Sequence, residues 1–404
     1  MPTMSLPVLV VFSHLRWSFV WQRPQHLMSR LARRWRVVFV EEPVHDTGPA
    51  RLEVHDAMAG VSVLVPHTPV LAAGFHDDQL ALLEPLVAHH LHAAGVREAV
   101  VWLYTPMALP LVKTLALRCL AYDCMDELAA FKDAPRQLRQ RENALLKRAD
   151  VVFTGGPSLY DAKRELHPNV HCIPSSVDAA HFEPAGLVAG SEHALAAAAL
   201  QGALPGPRLG YYGVIDERLD LALVAALADA RPEWQIVMVG PVVKIAPESL
   251  PRRANLHWLG MQPYARLPYL LAGWDLALMP FAINDATRFI SPTKTLEYMA
   301  GEKATVSTPV RDVVSLYGDV VSIARDSAGF VEACETLLAE SVAARCQRVM
   351  RMLNAVSAHS WERSADCVHD LLVQATVRAT PARVEALAPA APAAALAASA
   401  GGRA

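Results

Sequence analysis

Two series of short apolar runs, each run followed by a helical pattern, constrain this chain more than any other feature. The first series covers 8–12, 37–40, 61–65, 99–103, 118–121, 151–153 and 170–173. The second covers 209–212, 235–239, 256–259, 276–279, 304–307 and 320–323. Apolar runs of this length, alternating with helices, predict parallel sheets covered on both faces. Two such series predict an α/β chain of two Rossmann-like domains. Between them, 183–208 is rich in Ala, Gly and Pro, with a short helix expected at 194–200. The expected organisation is an N-terminal domain at 1–185, a linker carrying the hinge at 186–207, and a C-terminal domain at 208–358. A helix at 359–378 and an Ala/Pro-rich tail at 379–404, expected to be disordered, complete it.

Composition narrows the class. Of 404 residues, 53% are hydrophobic and 19% charged, which suits a large buried core. A formal charge of −3 gives no reason to expect nucleic-acid binding. No apolar stretch is long enough to span a bilayer, and the first residues lack a charged leader, so a cytoplasmic protein is expected. The six cysteines show no Cys-x-x-Cys spacing, and buried free thiols are expected. No Gly-x-Gly-x-x-Gly follows the first strand, which disfavours a dehydrogenase.

The segment 289–300 reads Phe-Ile-Ser-Pro-Thr-Lys-Thr-Leu-Glu-Tyr-Met-Ala and is followed by Gly301. Ser291-Pro292 predicts a helix start, Gly301 its stop and 304–306 a buried strand. Lys294 and Glu297 stand three residues apart, hence on one helix face. A helix N-terminus with a lysine suits a phosphate, and a glutamate can accept from ribose hydroxyls. Upstream, Gly213 ends a strand where backbone can approach a ligand closely, and Arg218 follows in the same loop.

These residues resemble the donor-binding motif of retaining glycosyltransferases with the two-domain GT-B fold, in the broad family 4 (group 1). The resemblance runs from about Pro7 to about Val373 and is nearest to bacterial enzymes of surface-polysaccharide assembly. It implies two Rossmann-like domains facing across a cleft, with a C-terminal helix crossing back to the first. It implies a nucleoside-diphosphate-sugar donor, UDP- or GDP-linked, held by Gly213, Arg218, Arg288, Ser291, Pro292, Lys294 and Glu297. It implies a glycan or lipid-linked acceptor and neither cofactor nor metal. The sequence departs from the family at two points. Phe289 stands where a first glutamate is usual, and Val214 where an arginine is usual; Arg288 or Lys294 could compensate for the latter.

In the first half, Trp21-Gln-Arg23-Pro-Gln25 opens a helix and resembles a signature of the same subgroup. Arg23 could bind an acceptor phosphate or the leaving diphosphate; the alternative is helix capping and domain packing. Asp123, Asp126 and Glu127 follow a strand end, where paired carboxylates can act as acid and base. Asp126 could instead cap a helix. His14 is the nearest histidine candidate. Arg23, Asp123 and His14 are therefore the candidate catalytic residues. Arg30, Arg33, Arg34 and Arg36 form a basic helix end that could rest on anionic lipid. The expected activity is sugar transfer in surface-polysaccharide synthesis. The alternatives are a catalytically degraded scaffold that binds a nucleotide-sugar or a partner enzyme, and a nucleotide-sugar epimerase.

Overall fold

A computed structural model of the chain describes residues 6–379. The tail expected to be disordered lies, beyond its first residue, outside the described residues.

Two sheets form, one per half. The first has the order Val44–His45, Val61–Thr68, Arg36–Glu41, Val8–Ser13, Ala99–Leu103, Leu117–Cys124, Val151–Thr154, Val170–Cys172, all parallel. The second runs Leu256–Trp258, Gln235–Val239, Arg208–Tyr212, Leu276–Met279, Thr305–Ser307, Ser322–Ile323, again parallel. All thirteen expected strands are present, shifted by a few residues at their ends. Two more were not foreseen: the short Val44–His45, and Arg51–Met58, which pairs antiparallel with Val61–Thr68. Arg51–Met58 is largely exposed and carries Arg, Glu, His and Asp, so no apolar run announces it.

Burial follows the pleat. In Val8–Ser13, Leu9 and Val11 face one side of the sheet while Val10 and Phe12 face the other. The Leu9 side is covered by the helix Arg23–Leu31 and by the last helix, Trp361–Arg378. The last helix buries Trp361, Ala365, Val368, Leu372 and Ala375, a 4-3-4-3 spacing that puts all five on one face. Each fully buried Val or Leu there contributes about 1.5–3 kcal/mol. The expected crossing back of the C-terminal helix is thus present.

The chain changes halves twice. Ile173 packs in the first core, but Val177 and Phe182 pack in the second. On the return, Val356 belongs to the second core and Trp361 to the first. The crossings lie side by side, joined by a 2.8 Å hydrogen bond between the Ser176 and Ser364 hydroxyls. Assigning the linker to 186–207 therefore puts the change of side too late. The Ala-rich segment forms the helix Glu192–Gln201, whose Ala197 is buried in the second core. Gln201 fixes it there, accepting from Trp274 Nε1 at 2.9 Å and donating to Leu270 O at 2.8 Å. Small alanines read as linker, yet they allow close packing.

The basic helix end is tied down by the same last helix. Arg30 binds Glu362 at 2.7 Å and Asp178 at 3.4 Å, and Arg34 binds Asp366 at 2.7 Å.

Candidate active site

A cavity of about 730 Å³ opens between the halves, at the carboxyl ends of both sheets. Its second-half wall is built around two glycines. Gly213 ends the strand Arg208–Tyr212 at φ +144°, and Gly240 ends Gln235–Val239 at φ +148°. The two backbones touch: a Cβ on Gly240 would lie 1.8 Å from Gly213 O. Gly240→Ala should therefore lower stability by about 1–3 kcal/mol from backbone strain alone, with the clash in addition. Thermal denaturation, with nucleotide titration alongside, checks this.

The helix Lys294–Ala300 supplies the charged groups. It is fastened to the sheet by Tyr298, whose hydroxyl accepts from Tyr212 N at 3.0 Å. It begins at Lys294, later than Ser291-Pro292 suggested, and has seven residues. So short a helix adds little dipole, and the local positive charge rests on Lys294 itself. The Lys294 ammonium lies against Gly213, where a Cβ would come within 3.0 Å of Nζ. It also sits 5.5 Å from the Tyr211 ring centre and 5.6 Å from that of Phe281. Burial pulls its pKa down to about 8. Glu297, one turn on, is pushed by burial to about 7, opposed by Tyr212 and Lys294. Beside it the hydroxyl of Tyr264 is buried without a hydrogen-bond partner among the described residues. Tyr211, Tyr212, Tyr264, Phe281, Lys294 and Glu297 all line the cavity.

Gly213, Arg218, Ser291, Pro292, Lys294 and Glu297 thus share one wall. Arg218 is held by Asp216, with Nη2–Oδ2 at 2.7 Å and Nε within 3.1 Å of both carboxylate oxygens. Arg288 is not brought in; it is exposed, 5.1 Å from the Phe289 ring centre. Phe289 packs against the core of the first half, so the side chain in the usual glutamate's place makes an apolar contact between halves. The loop is held from the other side as well: Ser175 Oγ donates to Ser291 O at 2.9 Å.

Residues 206–340 match the family model for group 1 glycosyl transferases, a span that contains this entire wall from Gly213 to Glu297. Over 282 residues the chain is 24% identical to TuaH of Bacillus subtilis, named as a putative teichuronic acid biosynthesis glycosyltransferase; the match covers 64% of this chain and 68% of that one. The chain carries a group 1 glycosyl transferase domain at 206–340.

Solved structures agree on the fold of this glycosyltransferase. Sucrose-phosphate synthase from Thermosynechococcus elongatus superimposes with a TM-score of 0.70 at 14% identity, covering 92% of this chain and 100% of that one. Anabaena HepE, solved with UDP and glucose, gives 0.65 at 14% identity, covering 91% and 100%. An E. coli trehalose-6-phosphate structure bound with UDP-2-fluoro glucose gives 0.63 at 13% identity, covering 90% and 98%. These are GT-B glycosyltransferases, and the two facing Rossmann-like domains found here are that architecture.

On the first-half wall of the glycosyltransferase, the candidates separate. Arg23 and Asp123 form a bidentate pair, Nε–Oδ2 at 2.8 Å and Nη2–Oδ1 at 3.0 Å, while Arg23 Nη1 donates to Ile173 O at 2.7 Å. Arg23 reaches the cavity wall, but Asp123 is fully buried behind it. Glu127 is bound by Lys163 at 2.8 Å. Asp126 lines the cavity, and among the described residues its carboxylate has neither a hydrogen bond nor an ion pair. It caps no helix; the short turn after it, Leu128–Ala130, starts from Glu127. His14 lies off the cavity wall, and burial holds it neutral, with a pKa near 4.

Proposed function

We propose that this glycosyltransferase moves a hexosyl group, with retention, from a nucleoside-diphosphate-sugar to a sugar hydroxyl during surface-polysaccharide assembly. The observation that carries the donor assignment is the half-buried Lys294 and the buried Glu297, one turn apart, beside the Gly213 backbone. A diphosphate placed over Gly213 meets the Lys294 ammonium at close range, with Arg218 beside it. The ribose falls to Glu297, whose carboxylate accepts from its hydroxyls, near the Tyr212 and Tyr264 hydroxyls.

In the reaction, the acceptor oxygen bonds to the anomeric carbon as the bond from that carbon to the diphosphate oxygen breaks. The acceptor proton passes to the departing diphosphate. The main electrostatic task is to stabilise charge on that leaving group, which this reading gives to Lys294. Two solved relatives in fold are described with UDP or a UDP-sugar analogue, and the TuaH name supports a polysaccharide acceptor. We place the enzyme in the cytoplasm. No helix among the described residues is long and apolar enough to cross a membrane. With Arg30 and Arg34 engaged by acids, contact with a lipid-linked acceptor's membrane would fall to Arg33 and Arg36.

Calorimetric titration with UDP and GDP tests the donor assignment. Saturable one-site binding of one of them is expected. A folded protein that binds neither would overturn it.

A further inference from the structure

The first-half wall of the cavity is where an acceptor must lie if the donor occupies the second half, so any assignment of the acceptor rests on that reading. The charge balance of this wall is unusual. The first-half cations near the cavity are already matched. Arg23 has Asp123 and a carbonyl. Lys163 has Glu127 and Glu142, each at 2.8 Å. Arg16 has Glu41 at 3.0 Å and two backbone carbonyls. His14 and His26 are held neutral by burial, with pKa values near 4 and 3.

The second half adds little positive charge here. Arg218 is held by Asp216. Lys244 sits 4.7 Å from the Phe131 ring centre, with Glu217 at 4.0 Å. Lys294 is the remaining cation of the cavity wall, and the donor diphosphate takes it.

One charged group on the acceptor side has no partner among the described residues: the Asp126 carboxylate. The same wall carries the aromatic side chains of Trp17, Phe19 and Trp21, with Met125, among the polar Ser18, Gln22 and Ser175 and the paired Arg23. A carboxylate only accepts hydrogen bonds when ionised, and it can serve two hydroxyls at once. It repels a phosphate at contact distance. Aromatic faces suit the C–H faces of a sugar ring.

We propose that the acceptor is an uncharged sugar ring whose hydroxyls are gripped by Asp126, and that sugar phosphates are excluded at this position. Asp126 is then a catalytic residue that orients the attacking hydroxyl. Burial lifts its pKa to about 6, with Arg218, Arg23 and Lys244 pulling it down and Asp216 pushing it up, so it is largely ionised at neutral pH.

The test uses the full-length enzyme and the UDP- or GDP-sugar selected by titration. Acceptors are p-nitrophenyl hexosides, glucose 6-phosphate and water, each assayed with wild type, Asp126→Asn and Asp126→Glu. Wild type should favour the neutral hexosides. Asp126→Asn should lower transfer to hexoside about 10- to 150-fold, the range for one hydrogen bond to a charged group. Its nucleotide affinity should stay within about twofold of wild type, and its melting temperature should not fall, because no partner is orphaned. The preference for hexoside over glucose 6-phosphate should shrink, and Asp126→Glu should restore part of the transfer.

The proposal is overturned by a wild type that prefers glucose 6-phosphate, or by an Asp126→Asn enzyme with unchanged transfer. Nucleotide affinity that falls in step with transfer also overturns it, since Asp126 would then serve the donor. So does a wild type that binds nucleotide but turns over none of the three acceptors. Failure to bind UDP or GDP at all would strike the donor assignment instead, which keeps the two failures apart.

Discussion

Lys294→Ala should weaken nucleotide binding about 10- to 150-fold, the worth of one charge-assisted hydrogen bond, and should slow sugar transfer further. On the proposed mechanism the slowing arises because the charge on the leaving diphosphate peaks in the transition state; loss of one such donor typically lowers kcat about 10²–10³-fold. The same substitution should stabilise the empty enzyme. In the folded state Lys294 titrates near 8, against 10.5 for a free lysine. Below about pH 8 it is charged in a buried place, a cost on the order of 1–2 kcal/mol after discounting for its partial exposure. As pH rises from about 8 to 10.5 the unfolded chain still binds the proton and the folded one does not, so that cost fades. Thermal melts at pH 7 and pH 10.5 check the sign: the variant's advantage should be present at the first and gone at the second.

Glu297 shapes the other limb. Its folded pKa near 7 lies above the ordinary 4.5, and on the proposed donor reading only the ionised form accepts from ribose with both oxygens. Donor kcat/KM should therefore rise through about pH 7 as Glu297 ionises and fall through about pH 8 as Lys294 deprotonates. Lys294→Ala should lose the alkaline limb. An alkaline limb that survives the substitution would assign it to another group.

Asp123→Ala should lower stability by about 3–5 kcal/mol, because it leaves the Arg23 guanidinium charged and buried with one carbonyl. For a unit the size of the first half this is a fall in Tm of about 6–20 °C. The pair links Leu117–Cys124 to the start of the helix Arg23–Leu31 and, through Ile173, to the first crossing between halves. An Arg23→Leu, Asp123→Leu double variant should recover much of the loss, since two apolar groups replace a matched pair. An Asp123→Ala protein with an unchanged Tm and lost turnover would put Asp123 at the reacting centre instead.

How much of this could be read from the sequence depended on whether a signal was local. Buried parallel strands are continuous apolar runs, so all thirteen of them were visible. Arg51–Met58, largely exposed, left no such trace. Ser291 to Glu297 was visible because one short segment carries the lysine, the glutamate and the turn. Arg218 joined the same wall because a glycine-ended strand sets the loop's position. The acceptor side was harder. Asp123 and Asp126 stand three residues apart, and nothing in their spacing tells which one meets Arg23, 100 residues away. Tertiary pairing takes the guanidinium for Asp123 and leaves Asp126 facing the cavity. Likewise, Phe289 reads as a missing glutamate, and its contact with the other half depends on a partner surface far away in sequence.

The order of synthesis meets an inversion in this fold. The second half is one uninterrupted stretch, from about Val177 to about Val356, set into the first. It can complete its core as soon as it has emerged. The first half is made earlier but lacks one layer, because the face carrying Cys119, Ala121, Val151 and Phe153 is covered by the helix Trp361–Arg378. Until that helix arrives, an apolar sheet surface stays exposed, the kind of surface that makes folding intermediates prone to aggregate. The half that begins the chain is thus the last to be finished.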